Sequence, residues 1–95
     1  MQKYEIMFIV KPDMEEADIR KSAEDMKKVL TDKKAKVLEE KAMGQRELAY
    51  EIKKYKTGYY YYLVVEADKE TEQEFNRVAR INENILRHLV IKVED

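Results

Sequence analysis

The chain has 95 residues, of which 41% are charged, and its 19 basic and 20 acidic side chains leave a net charge of -1. That length supports one domain with one modest core, residues 1–95, and leaves no room for a separate catalytic module. Cysteine is absent, which excludes disulfides, thiolate metal sites and cysteine nucleophiles and fits a reducing compartment, the cytoplasm.

The opening MQKYEIMFIV is short and interrupted by Glu5, unlike a secretory leader, and no run approaches the roughly 18 apolar residues of a membrane span. No membrane association is expected. In residues 4–10, Tyr4, Ile6, Phe8 and Val10 alternate with Glu5, Met7 and Ile9, which is the period of a strand. Pro12 follows, with Asp13 as the expected N-cap and Glu16 three residues on. Ile19, Ala23, Met26 and Leu30 then recur at helical spacing and predict an amphipathic helix over about residues 15–33. Residues 35–43 and 46–53 interleave Val, Leu, Ala and Tyr with charge, as one long strand bent near Gly44.

Gly58 precedes a third strand over 59–67, with Tyr59, Tyr60, Tyr61 and Tyr62 in a row. Phe75, Val78 and Ala79 predict a second helix over 69–81, the turn Asn82–Glu83–Asn84 ends it, and LRHLVIKV supplies a last strand over 86–93. The order β-α-β-β-α-β predicts an α+β, ferredoxin-like split unit: a four-stranded antiparallel sheet, its first and third strands central, with both helices on one face.

Much of the charge is ordinary helix electrostatics. Acid-rich stretches, residues 13–25 and 66–74, read as helix starts, and bases such as Lys27, Lys28, Lys33, Lys34, Arg77 and Arg80 fall toward the helix ends. Lys3, Arg46, Lys53, Lys54, Lys56, Arg87 and Lys92, with His88, are left for other work.

Strand parity divides the four tyrosines two and two. Glu66 should avoid the helix-covered face, so Tyr60, Tyr62 and Val64 share its open side while Tyr61 fills the core. Glu5 likewise puts Met7 and Ile9 on the open side. Met7, Ile9, Tyr60, Tyr62 and Val64 then form a bare apolar and aromatic patch, the composition of a binding surface. A protein partner suits it better than a base, because Met7, Ile9 and Val64 favour apolar packing. The alternative is an RNA-recognition-motif-like binder of single-stranded RNA, with Tyr60 and Tyr62 as stacking platforms. KTGYYYYLV echoes that pattern loosely, but Thr57 separates lysine from glycine and the first strand offers no aromatic on the open side.

MGQRELAYEIKKYKTGYYYY, with KYEIMFIVKPD before it and RINENILRHLVIKV after it, resembles the bacterial small-subunit ribosomal protein six family, whose GxRxLAYxI element runs here from Gly44 to Ile52. The resemblance covers essentially the whole chain. It implies a ferredoxin-like protein of the small subunit, located on the cytoplasmic ribosome, that binds the central domain of small-subunit ribosomal RNA as a heterodimer with small-subunit ribosomal protein eighteen. Gln2 and Glu51 depart from the family's usual arginine and proline. A chain of net charge -1 should bind ribosomal RNA weakly alone and better beside a basic partner. Arg46, Arg87 and Lys92 lie in the family-like segments and, with Lys3 and His88, are the candidates for rRNA contact; Met7, Ile9, Tyr60, Tyr62 and Val64 are those for the protein partner. The isolated chain is expected to be monomeric.

No catalytic residue, metal site or cofactor is expected. His88 and Ser22 are the only histidine and serine and neither has the neighbours of a triad; the acidic runs lack calcium-loop spacing. An acylphosphatase-like enzyme would need an arginine in the loop after the first strand, where this chain has KPDME.

Overall fold

The computed structural model describes residues 1–94. Its elements are β1 (Gln2–Val10), α1 (Glu16–Asp32), β2 (Lys36–Ile52), β3 (Tyr55–Ala67), α2 (Lys69–Ile81) and β4 (Ile85–Val93). The strands pair antiparallel in the order β2-β3-β1-β4, so β1 and β3 are central as their apolar alternation requires. Tyr4, Ile6, Phe8 and Val10 of β1 and Leu63, Val65 and Ala67 of β3 are buried in one cluster with Ile19, Met26 and Leu30 of α1 and Phe75 and Ala79 of α2. Both helices therefore cover one face and leave the other open.

Phe8 sits in the middle of that layer. Its ring stacks on Tyr61 at 5.3 Å between centroids and tilts against Phe75 at 6.3 Å, contacts worth about 0.5–1.5 kcal/mol each beyond burial alone. Of the four consecutive tyrosines, Tyr59 and Tyr61 pack half-buried against the core that holds Tyr4, and burial pushes the Tyr61 phenol up from the ordinary value.

The helix ends depart from expectation in two places. Glu15 occupies the N-cap of α1 without a side-chain cap bond; Asp13 instead accepts a 2.6 Å hydrogen bond from Tyr55 Oη and lies 3.7 Å from Lys11 Nζ. A partner 42 residues away competed for the carboxylate and won. Lys27 is engaged across the fold, its Nζ 2.9 Å from Glu40 of β2, so it ties α1 to the sheet and does not serve the helix terminus. In α2 the expected pattern holds: Asp68 caps the backbone N–H of Thr71 at 2.8 Å, which also holds its carboxyl below the usual range, and Arg80 stands in the last turn.

Ser22 and the Asn82–Glu83–Asn84 turn form one device. Asn84 donates its side-chain amide to Ser22 Oγ at 3.1 Å, its own N–H goes to Asn82 Oδ1 at 2.9 Å, and its carbonyl accepts from Lys11 N at 2.9 Å. The lone serine is thus a buried structural pin between α1 and the entry to β4.

β2 is continuous for 17 residues, with register shifts between Val37 and Glu39 and between Ala42 and Gly44. The second is the bend expected at Gly44, whose φ of +81° is a conformation that glycine adopts freely. β3 begins at Tyr55, four residues before the expected start at Tyr59. Lys53 and Lys54 make the turn, both with positive φ (49° and 72°), as a tight hairpin needs; nothing in Lys-Lys announces it. Gly58 matters for a different reason. A Cβ there would collide with Ile9 Cγ2, with Leu48 Cδ2 3.6 Å away, so the missing side chain lets the outer hairpin lie close over Ile9.

β4 settles the parity of its residues. Phe8 pairs with His88, Ile6 with Val90 and Tyr4 with Lys92, so these three share the helix-covered side, and Arg87, Leu89 and Ile91 lie opposite. His88 Nε2 is 3.0 Å from Asn76 Oδ1 and its ring meets Phe75 edge-on. Burial, and secondarily Arg80, lowers its pKa from 6.5.

Two expectations follow from these contacts. Gly58→Ala should cost about 1–3 kcal/mol through overpacking against Ile9, measured by chemical denaturation. Adding Ile9→Ala to it should cost less than the two changes separately; a fully additive pair would show that the Ile9 contact is not the cause. The second concerns pH. A histidine whose folded pKa is depressed stabilises the fold above its unfolded pKa of 6.5 and loses that contribution as pH falls below it. His88→Gln should therefore gain in Tm relative to wild type as pH is lowered from about 7 to 5, and parallel Tm curves would refute the assignment.

Candidate functional site

The uncovered face is a grid fixed by strand register. Reading across β4, β1, β3 and β2, its rows are Arg87–Ile9–Tyr60–Gly44, Leu89–Met7–Tyr62–Lys41, Ile91–Glu5–Val64–Glu39 and Val93–Lys3–Glu66–Lys36. The five residues expected at a partner surface, Met7, Ile9, Tyr60, Tyr62 and Val64, all lie on it. They are not equally available. Met7, Tyr60 and Tyr62 are half-buried, but Ile9 and Val64 are each only 7% exposed, Ile9 because its side chain lies close against Gly58.

In their place the edge strand contributes Leu89, 55% exposed, and Ile91, 47% exposed. The sequence alone does not assign these two, because HLVI is apolar on both parities. That doubled apolarity was itself the available signal, since a strand apolar on both sides has both sides to cover.

Polar groups set the chemistry of the patch. Tyr62 Oη donates to Glu5 Oε1 at 3.2 Å, and desolvation, then the carboxylate, raises the phenol's pKa, so Tyr62 stays a neutral donor. Tyr50, on the outer part of β2 and 57% exposed, lies under the Arg87 guanidinium, 5.5 Å from carbon to ring centroid. This cation–π contact joins the two edge strands across one end of the face.

The five candidate rRNA residues do not form one patch. By register Arg46 (opposite Gly58) and Arg87 stand at the hairpin end of the open face, and Lys3 stands at the other end. Arg46 is further steadied by donating Nε to the Met43 carbonyl at 3.2 Å. Lys92 has the opposite parity, yet it lines a cleft of about 470 Å³ at the sheet end together with Lys3, Glu66 and Glu94. His88 is separate from all of these, on the α2 side, with its ring held by Asn76 and Phe75.

Comparison with known proteins gives one answer. A family model described as Ribosomal protein S6 matches residues 3–92. Two relatives are called small ribosomal subunit protein bS6. The one from Halalkalibacterium halodurans is 45% identical over 95 residues, all of both chains, and the one from Shouchella clausii is 46% identical over 94 residues, 99% of each. The crystal structure of 30S ribosomal protein S6 from Thermotoga maritima superposes with a TM-score of 0.91 at 31% identity, covering 97% of this chain and 87% of that one. With the family model spanning nearly the whole chain and relatives matched end to end, the chain belongs to the ribosomal protein S6 family of the small ribosomal subunit.

Proposed function

We propose that this chain binds the central domain of small-subunit ribosomal RNA cooperatively with ribosomal protein eighteen, as a structural, non-enzymatic component of the cytoplasmic ribosome. The observation that carries the reading is the open face: Leu89, Met7 and Tyr62 side by side across three strands, with no helix over them among the described residues. Burying such a row against a partner is favourable by about 25 cal/mol per Å², and aromatic anchors of this type dominate protein interfaces.

The division of labour follows from charge. With 19 basic against 20 acidic side chains the chain displaces few counterions by itself, and a basic partner supplies the missing phosphate neutralisation. Arg46 and Arg87 at one end of the face, and Lys3 and Lys92 at the other, flank the apolar rows and suit phosphates running past the heterodimer. His88 lies on the helix-covered side with its ring against Asn76 and Phe75 and is left a structural role. The stacking-platform alternative is disfavoured by Glu5, whose carboxylate lies against the Tyr62 hydroxyl and repels a nucleic-acid backbone.

Filter retention of a central-domain rRNA fragment over a salt series tests the whole. The chain alone should bind weakly and sediment as a monomer, and the pair should bind tightly. Tyr60→Ser with Tyr62→Ser should fold yet assemble with protein eighteen about 30-fold more weakly or worse; tight binding of RNA by the chain alone, lost in this variant, would instead favour the stacking reading. Arg46→Ala and Arg87→Ala should each lower the slope of log K against log salt by roughly 0.7–0.9, and an unchanged slope removes that residue from the phosphate contacts.

A further inference from the structure

We infer that Glu5 is the specificity-determining residue of the open face, and that it selects a protein segment presenting an arginine guanidinium within an otherwise apolar surface. The inference rests on the docking of protein eighteen on this face and adds the chemistry by which the partner is recognised.

Where the two central strands pair, Gln2–Val10 against Tyr59–Ala67, the ionised open-face residues are Lys3, Glu5 and Glu66. Lys3 and Glu66 are directly opposite each other and compensate across the ladder. Glu5 has no such neighbour: it faces Val64 on one side and Ile91 on the other, and among the described residues no salt bridge reaches it. Its one polar contact is the Tyr62 hydroxyl at 3.2 Å. The carboxylate is only half-buried in the free chain, which leaves its remaining lone pairs open to solvent. A partner that covers Met7, Leu89 and Ile91 removes that water, and a desolvated carboxylate held by one hydroxyl is costly.

The complex is therefore stable only if the partner returns a cation to the same point. Arginine fits better than lysine, because its planar fork pairs with both carboxylate oxygens and is weakly hydrated, while Tyr62 continues to hold Oε1. A purely apolar partner is rejected by the same carboxylate, which is how a mostly greasy surface discriminates.

The test is calorimetric titration of purified ribosomal protein eighteen into the full chain, comparing wild type, Glu5→Gln and Leu89→Asp, each first checked for folding by circular dichroism. Glu5→Gln is near-isosteric and keeps an acceptor for Tyr62, so its fold should be intact; its Kd should rise about 30-fold or more, as when one member of a buried charge pair is removed. Leu89→Asp should abolish pairing. Loss in Leu89→Asp with Glu5→Gln binding within about twofold of wild type, or tighter, overturns the guanidinium inference and leaves the docking face standing. Unchanged binding in Leu89→Asp overturns the docking face and the inference with it.

Discussion

The structure depends on one ladder, the pairing of β1 with β3. It runs from Gln2↔Ala67 to Val10↔Tyr59 without a register shift, whereas the other two strand pairs both contain irregularities. Side chains alternate along it, so a slip of β1 by one residue would turn Phe8 out to water and Glu5 in beneath the helices. The Phe8–Tyr61 stack on the covered side and the close fit of Ile9 over Gly58 on the other penalise such a slip from both faces. Core and interface are thus two readings of a single register.

The same division governs the charges. Where they serve the fold they are local or tie elements together: Asp68 at its cap, Arg77 on Glu74, Lys27 on Glu40, Asp13 under Tyr55. Exposed pairs of this kind contribute little to stability individually. The charges on the open face are arranged differently: Arg87 and Lys3 stand at opposite ends of the grid, Lys41 and Glu39 lie on the β2 edge, and on the central strands Glu5 sits between Ile91 and Val64. A near-neutral molecule can in this way present an apolar middle to a protein and basic flanks to phosphates.

How far the sequence discloses this differs from residue to residue. Glu5 and Glu66 reveal the faces of the central strands because a carboxylate has only one side on which it can reach water, and from them Tyr61 is assigned inward and Tyr60 and Tyr62 outward. Periodicity likewise discloses α1, whose buried Ile19, Ala23, Met26 and Leu30 are the expected stripe. β4 offers no such marker, so Leu89 and Ile91 stay hidden until Met7 and Glu5 are seen paired with them. The role of Asp13 is illegible for another reason: a capping pattern is local, whereas Tyr55 reaches it only once the hairpin has been placed. Ile9 and Val64 lie on the predicted face but are buried there, because parity gives a side chain's direction and says nothing about how far its neighbours cover it.

Topology also has a temporal side. β1 lies between β3 and β4, so the first strand to be synthesised has a neighbour that is the last, and the pin from Asn84 to Lys11 and Ser22 closes only across that long interval. Such distant pairings make folding slow, since a large loop must be ordered before its contacts reward it. During translation β1 and the β2–β3 hairpin can emerge and pair while one edge of β1 still offers its unpaired backbone groups. That edge is sealed only when β4 joins, so β1 keeps one side open until the last of the four strands has been made.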